Sequence, residues 1–505
     1  MMAVVAQSLT RADARLATIA QAAGRPAAIR IVVAVLLVAL VTFQMADIGR
    51  LTMRVWDELR IAVNAIEMLI TGNHLTTTYG FRLDTWNTKP PLLVNLVAGA
   101  MQIFGPGVFA LRLPSALAAF ATVVLVAVFV RRVTGSTGCA IAAGILLATN
   151  ARFYGEHAGQ TGDYDALLTL FTTTYGVLLF PLIESPRRRP GLAALTGAAV
   201  GLAVLTKGVA GLVPGGGIAV FALAWGAPRL ARHALDYAIV AAVAAAVGGS
   251  IYLAHAGIHD TYLAAVAANE VGGRFDTVLD HHVGDAWFYA SPLITRVPGK
   301  ILLILPAVLL LAPGPARRLA IFALCQAGVM LVVISAAATK LGWYVEPMMP
   351  FISIALALAG LAIVRAVANS RWPKARWFVI AVIVGELVNV TAHAVVNRYV
   401  HPWIPLTAPR AFDTLIAAAA RRDALPLVVV DHGFDNWGGL VNYTPPLRFY
   451  ALAAARAGIA VVPVTGIAAA ATARFVGSCD PVTIPAVRAS GRDLWHGNGC
   501  ILTAR

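Results

Sequence analysis

The sequence predicts an α-helical polytopic membrane protein of about eleven spans, followed by a small α/β domain. Three observations carry that reading. Hydrophobic residues make up 59% of the 505-residue chain and charged residues only 12%, where an ordinary soluble chain carries roughly a quarter charged. Apolar runs close to the ~20 residues that cross a bilayer recur along it. Beyond about residue 398 the pattern changes to short β-branched runs alternating with helical segments.

The apolar runs lie near 31–48, 108–130, 138–153, 165–183, 191–206, 208–226, 235–256, 298–313, 318–336, 347–365 and 376–396. The first is too long for a signal-peptide core and reads as a span, preceded by an arm that carries Arg11, Arg15, Arg25 and Arg30. Arginines gather at alternate ends of the runs, as Arg131–Arg132, Arg187–Arg189, Arg229–Arg232 and Arg317–Arg318. The net charge of +15 therefore reads as topology signalling, not as a nucleic-acid surface. It predicts a cytoplasmic N-terminus and an extracytoplasmic C-terminus. The expected organisation is a membrane module over 1–397, with long outer loops at 49–107 and 257–297, and a soluble domain over 398–505. Within the first loop, the segment from Asp57 to Leu69 has apolar residues on one side and is expected to lie on the membrane surface. In the terminal domain, Leu425–Val430 and Ile459–Val464 read as strands, and Ala411–Arg422 and Ala451–Ala457 as helices.

Chemistry-bearing residues fall on the predicted outer side. Trp56-Asp57-Glu58 follows the first span. Two adjacent carboxylates there either sit solvated in a loop or take a proton from, and orient, an attacking hydroxyl. Asn87-Thr88-Lys89-Pro90-Pro91 sets a lysine at the outer interface, its entry fixed by two prolines. Arginine outnumbers lysine 34 to 5, yet Lys89, Lys207, Lys300 and Lys340 all map outside, three of them preceded by threonine. A compact ammonium suits a phosphate ligand. The plain alternative is a lysine snorkelling at the interface. Gly162-Asp163-Tyr164-Asp165 puts Asp163 ahead of a span, as a rim acid or as a helix-start acid. Asn269-Glu270, Arg274-Phe275, His281-His282 and Trp287-Phe288-Tyr289 crowd the second long loop. The spacing of Glu270, His281 and His282 matches no closed zinc site, so no metal or other cofactor is expected. Thr339-Lys340-Leu341-Gly342-Trp343-Tyr344 forms a short outer turn with a cation and a phenol.

The ordered set Trp-Asp-Glu, Thr-Lys-Pro-Pro-Leu, Gly-Asp-Tyr-Asp, Leu-Thr-Lys-Gly, the Glu270–Phe275 run and the Thr339–Pro347 turn resembles the bacterial aminoarabinose transferases and protein O-mannosyltransferases. These are GT-C glycosyltransferases that use polyprenyl-phosphate sugars. The resemblance covers most of residues 50–350. It implies that Asp57 is the catalytic acid and Asp163 a second rim acid. It implies that Lys89, with the Lys340/Tyr344 turn, faces the donor phosphate, and that Arg274 and the His281/His282 pair belong to a loop closing over the site. Glu58 and Lys207 join the expected substrate-binding set. One departure stands out: aminoarabinose transferases usually carry a glutamate before the Lys-Pro-Pro lysine, where this chain has Thr88, so the metal that acid can help to hold is not expected.

The function so predicted is inverting transfer of a sugar from a polyprenyl-phosphate donor to a cell-envelope acceptor, at the outer face of a bacterial inner membrane. The partners are the donor, the acceptor and the bilayer, with no nucleic acid. The rivals are a secondary transporter of an anionic substrate, which would put its charges at mid-span, and a non-catalytic assembly protein. Of the four cysteines, Cys479 and Cys500 lie outside the spans, and an oxidising compartment would pair them.

Overall fold

The protein is described here from a computed structural model covering residues 26–46, 48–49, 52–54, 57–256, 260–278, 281–295, 299–400, 411–434 and 445–505. Most of the N-terminal arm and Trp56 lie outside these residues. The chain divides into two units, 1–46 and 47–505. The first contributes one apolar helix, Pro26–Met45.

The second unit is a helical bundle carrying a small sheet domain. Seven of its helices are long and apolar enough to span a membrane: Val108–Thr134, Tyr164–Glu184, Pro190–Gly211, Ala231–His255, Gly314–Ala336, Glu346–Ala368 and Ala375–Val400. Shorter apolar helices occupy Leu92–Phe104, Thr137–Ala148, Gly215–Ala224 and Leu302–Leu311. A helix thus stands at every run expected to span. Leu92–Phe104 is an additional apolar helix in what reads from sequence as loop. Large apolar side chains face outward on these helices, Leu310 at 81% exposure and Leu253 at 76%. Only a lipid environment makes that arrangement favourable, since water would charge about 25 cal/mol for each Å².

Small residues set the closest helix pair. On Pro190–Lys207, a Cβ at Gly197 would stand 2.6 Å from the Val240 carbonyl, and one at Gly201 would stand 2.5 Å from Val247 Cβ on Ala234–His255. Glycines four apart leave a smooth stripe along which two helices touch backbone to backbone, the usual association device inside lipid.

The segment beginning at Asp57 is a helix, Asp57–Thr71, but it does not float on a membrane surface. Residues from Glu58 to Met68 are all buried. Its polar side has partners. Arg60 makes two hydrogen bonds of 2.7 Å to Asp84, and Asn64 donates to the same carboxylate at 2.9 Å. Glu67 accepts from Thr78 Oγ1, Gly80 N and Phe81 N, clasping the hairpin of β1 (Thr78–Tyr79) and β2 (Arg82–Leu83). Satisfied polar groups permit the burial that an interfacial helix would not need.

The C-terminal domain has five strands: β3 (Leu427–Val430), β4 (Val461–Val464), β5 (Phe475–Ser478), β6 (Arg492–Gly497) and β7 (Cys500–Ala504). Their order is β4-β3-β5-β7-β6, with β3 parallel to β4 and β5 and the last two antiparallel. The helices Phe412–Ala420 and Pro445–Arg456 lie near the expected positions, and the latter packs on Asp57–Thr71. The sheet domain therefore lies beside the segment that holds Asp57. Cys479 and Cys500 are disulfide-bonded, with Cα atoms 4.0 Å apart, joining the end of β5 to the start of β7.

Candidate active site

Asp57 and Glu58 are neighbours in sequence with opposite fates. Successive helical residues point about 100° apart, so one turn-start carboxylate can face a cavity only if the other faces the protein. Glu58 faces inward. It takes Arg112 Nε at 2.6 Å and Nη2 at 2.9 Å, both groups 2% exposed. It also accepts from Arg54 N and Gly162 N. Where the sequence places Glu58 in the substrate-binding set, the structure turns it inward, its oxygens tying the segments around Arg54 and Gly162 to the Val108–Thr134 helix. Gly162 is required there, since a Cβ would come within 2.8 Å of Leu111. Asp57 keeps 28% of its side chain exposed.

Asp163 ends the loop of residues 155–163. One oxygen caps the Tyr164–Glu184 helix through Tyr164 N at 2.7 Å, and the other bonds His157 Nδ1. Burial pushes its pKa up, but the His157 charge and hydrogen bond outweigh it, holding the carboxyl below its ordinary range. The same pairing raises His157 against its own burial, with Asp57 adding to the effect. His157 Nδ1 lies 3.7 Å from Asp57 Oδ2, and its ring stacks on Trp343 with centroids 3.6 Å apart. Sequence reading passed over His157 because it sits in no motif.

Lys89 is buried beside these groups. Its ammonium lies 5.3 Å from the Tyr164 ring centroid and 6.0 Å from that of Trp86. Among the described residues no carboxylate pairs with it. Asn87 donates to both Asn64 Oδ1 and Tyr164 Oη, fixing the backbone that presents Lys89. Thr88 donates to Glu270 at 3.1 Å, docking the second long loop.

The other cations have different tasks. Lys207 forms a buried pair with Asp165 at 2.6 and 2.7 Å, with the Tyr344 ring 5.4 Å away. Lys340 donates to the carbonyls of Ser335 and Ala337, the open C-terminal end of the Gly314–Ala336 helix. Against the expectation of Lys207 in the substrate-binding set and Lys340 at the donor phosphate, both ammonium groups here have protein oxygens as partners. His281 and His282 are exposed, and the His282 carbonyl accepts from Lys340 N, so the pair borders the outer turn. The side chains of Arg274 and Lys300 lie outside the described residues.

Two groups of ligand-type atoms come within 4.8 Å of one another: Asp57, His157 and Asp163 here, and Asp431, His432 and Asp480 in the sheet domain. Glu270, His281 and His282 do not form such a group among the described residues. A borderline divalent ion suits two carboxylates and an imidazole.

A cavity of about 2110 Å³ comes up to the neighbours of this cluster. It runs between the Thr137–Ala148, Met349–Ala368 and Ala375–Val395 helices, lined by residues such as Leu146, Leu356 and Val384. Arg152, Glu156 and Trp343 also line it, the last two touching His157. It far exceeds a drug-sized pocket, roughly 300–1,000 Å³.

The helical bundle shares its fold with known membrane-protein structures. Residues 88–252 match the family described as dolichyl-phosphate-mannose-protein mannosyltransferase. The crystal structure of ArnT from Cupriavidus metallidurans bound to undecaprenyl phosphate is similar with a TM-score of 0.64 and 16% identity, covering 93% of this chain and 97% of that one. Archaeal oligosaccharyltransferase AglB from Archaeoglobus fulgidus, in complex with an inhibitory peptide and a dolichol-phosphate, gives 0.54 at 13% identity, covering 89% and 69%. In sequence, the chain is 29% identical over 217 residues to an undecaprenyl phosphate-alpha-4-amino-4-deoxy-L-arabinose arabinosyl transferase of Pseudomonas fluorescens, covering 42% of this chain and 37% of that one. The chain spans about a third of the length of the curated relatives it matches.

Proposed function

We propose that this protein is an inverting glycosyltransferase that moves a sugar from a polyprenyl-phosphate donor to a cell-envelope acceptor. The observation that carries the reading is the meeting of Asp57 and Asp163 across His157, whose neighbours Glu156 and Trp343 line a large, mostly apolar groove, with the Lys89 ammonium over the adjoining Tyr164 ring. The groove suits an isoprenoid tail, and the ammonium suits a phosphate. An acceptor hydroxyl attacks the anomeric carbon and gives its proton to Asp57. The bond from that carbon to the phosphate oxygen breaks, and its electron pair leaves on the polyprenyl phosphate, where Lys89 opposes the charge. The arginine pattern supports an inner-membrane protein with this site and the domain of residues 398–505 outside and the N-terminus inside. The acceptor is a lipid, glycan or protein of the cell envelope, and no cofactor is required by this scheme.

The test uses purified full-length protein with a total-lipid extract of its own host. Release of undecaprenyl phosphate from sugar-linked carrier is followed by mass spectrometry. Wild type should release it, and Asp57→Asn should lower turnover by about 10²–10⁴ while binding undecaprenyl phosphate normally. Undiminished turnover in Asp57→Asn would remove it from the mechanism.

A further inference from the structure

We propose that His157 is a positioning residue that joins the two outer-loop carboxylates and aims Asp57 at the acceptor. This rests on the transferase reading above. Asp57 stands at the start of a helix, and among the described residues no backbone hydrogen bond fixes its side chain. Among the described residues, His157 is the one ion-pair partner of Asp57. Every other contact of the imidazole serves to hold it still. Nδ1 bonds Asp163, itself locked as a helix cap by Tyr164 N and through its carbonyl by Ser115. Nε2 lies 3.8 Å from Glu156. The ring lies flat on Trp343, at an interplanar angle of 17°.

The backbone supports the same reading. His157 has φ +60°, a left-handed conformation that non-glycine residues adopt rarely and that persists only where surroundings enforce it. That turn delivers the imidazole between segments that are remote in sequence: the Asp57 helix, the 155–163 loop and the 337–346 turn. Exposure is graded across the trio, at 28% for Asp57, 12% for His157 and 5% for Asp163. The reacting carboxylate is outermost, with its support behind it. A histidine kept only for packing would not need to reach both acids.

Full-length protein in nanodiscs is assayed for undecaprenyl phosphate release at varied lipid-extract concentration. His157→Ala should lower kcat by about a hundredfold, the scale of a misplaced reacting group, with KM little changed. His157→Asn, whose amide N–H can replace the Nδ1–H bond, should recover about tenfold of that loss, as one hydrogen bond would. A His157→Ala variant as active as wild type, a loss confined to KM, or no gain from asparagine would each overturn the proposal. So would wild-type activity abolished by EDTA and restored by Mn²⁺, which would put an ion where the imidazole is assigned. A second readout does not need activity: water-soluble carbodiimide should modify Asp57 severalfold faster in His157→Ala, with Asp413 as internal control. Unchanged labelling of Asp57 overturns the clamp, whereas a wild type that releases no undecaprenyl phosphate, with labelling as expected, overturns only the transferase reading.

Discussion

Glu58 holds Arg112 in a two-point hydrogen-bonded pair, 2.6 Å from Oε1 to Nε and 2.9 Å from Oε2 to Nη2, closed off from solvent. Arg112 also donates to the Ile48 and Thr52 carbonyls at 3.1 and 2.9 Å. The pair therefore fixes the approach to Asp57 as well as its helix. Glu58→Gln leaves a buried guanidinium without its counter-charge and should destabilise the protein by about 3–5 kcal/mol. Differential scanning fluorimetry in detergent measures it. A Tm equal to wild type would mean that the pair contributes nothing net.

Among the described residues, Lys89 differs from Lys207 and Lys340 in having aromatic faces and no carboxylate or carbonyl as partners of its ammonium. Lys89→Ala should weaken undecaprenyl phosphate binding by about 1–3 kcal/mol, the range of a hydrogen bond to a charged group. Lys340→Ala should leave that affinity unchanged and lower stability instead, because its bonds go to a helix end. Microscale thermophoresis with the purified lipid separates the two, and equal affinity losses would return Lys340 to the donor site.

The Arg60–Asp84 pair gives a pH dependence of definite sign. Burial alone would raise the Asp84 pKa, but hydrogen bonds and charge from Arg60, with Asn64 helping, hold it below its ordinary 3.8. A depressed folded pKa stabilises above the unfolded value and is lost as pH falls through the folded one. Wild type should thus lose stability progressively below about pH 4. Asp84→Asn should be less stable at neutral pH, with the gap narrowing in acid. A gap that stays constant from neutral to acid pH would show that Asp84 is not the group responsible.

The Cys479–Cys500 bond closes a loop with a sequence separation of 21. Removing it as Cys479→Ser with Cys500→Ser should cost the sheet domain roughly 3 kcal/mol in the chain-entropy account. Limited proteolysis should then cut the terminal domain ahead of the membrane helices. Undercutting of both at equal rates would indicate that the domain draws its stability from the bundle.

Hydropathy made the spans legible because lipid, unlike water, tolerates an apolar helix on all sides, so a span needs no tertiary partner to be recognised. The sheet was only half legible. The parallel strands β3 and β4 were marked by β-branched runs, but β6 and β7 were passed over although Asn498-Gly499, both at positive φ, carries the signal of a tight hairpin. Their alternation is diluted by Arg492, Asp493 and His496 on an exposed edge.

The sequence by itself determined a polytopic membrane protein with acids and cations gathered on one side, because charge is excluded from the bilayer interior and collects at span ends. Which of those charges could do chemistry was decided only by tertiary structure. Asp57 and Glu58 are chemically equivalent as text, and three lysines share the same Thr-Lys context. Side-chain direction on a helix sends Glu58 to Arg112 and leaves Asp57 open. Helix ends and buried acids claim Lys340 and Lys207 and leave Lys89. His157 acquires meaning only when a left-handed turn carries it between carboxylates more than a hundred residues apart in the chain. A charge's role depends on whether another group has already neutralised it, and that partner is rarely its neighbour in sequence.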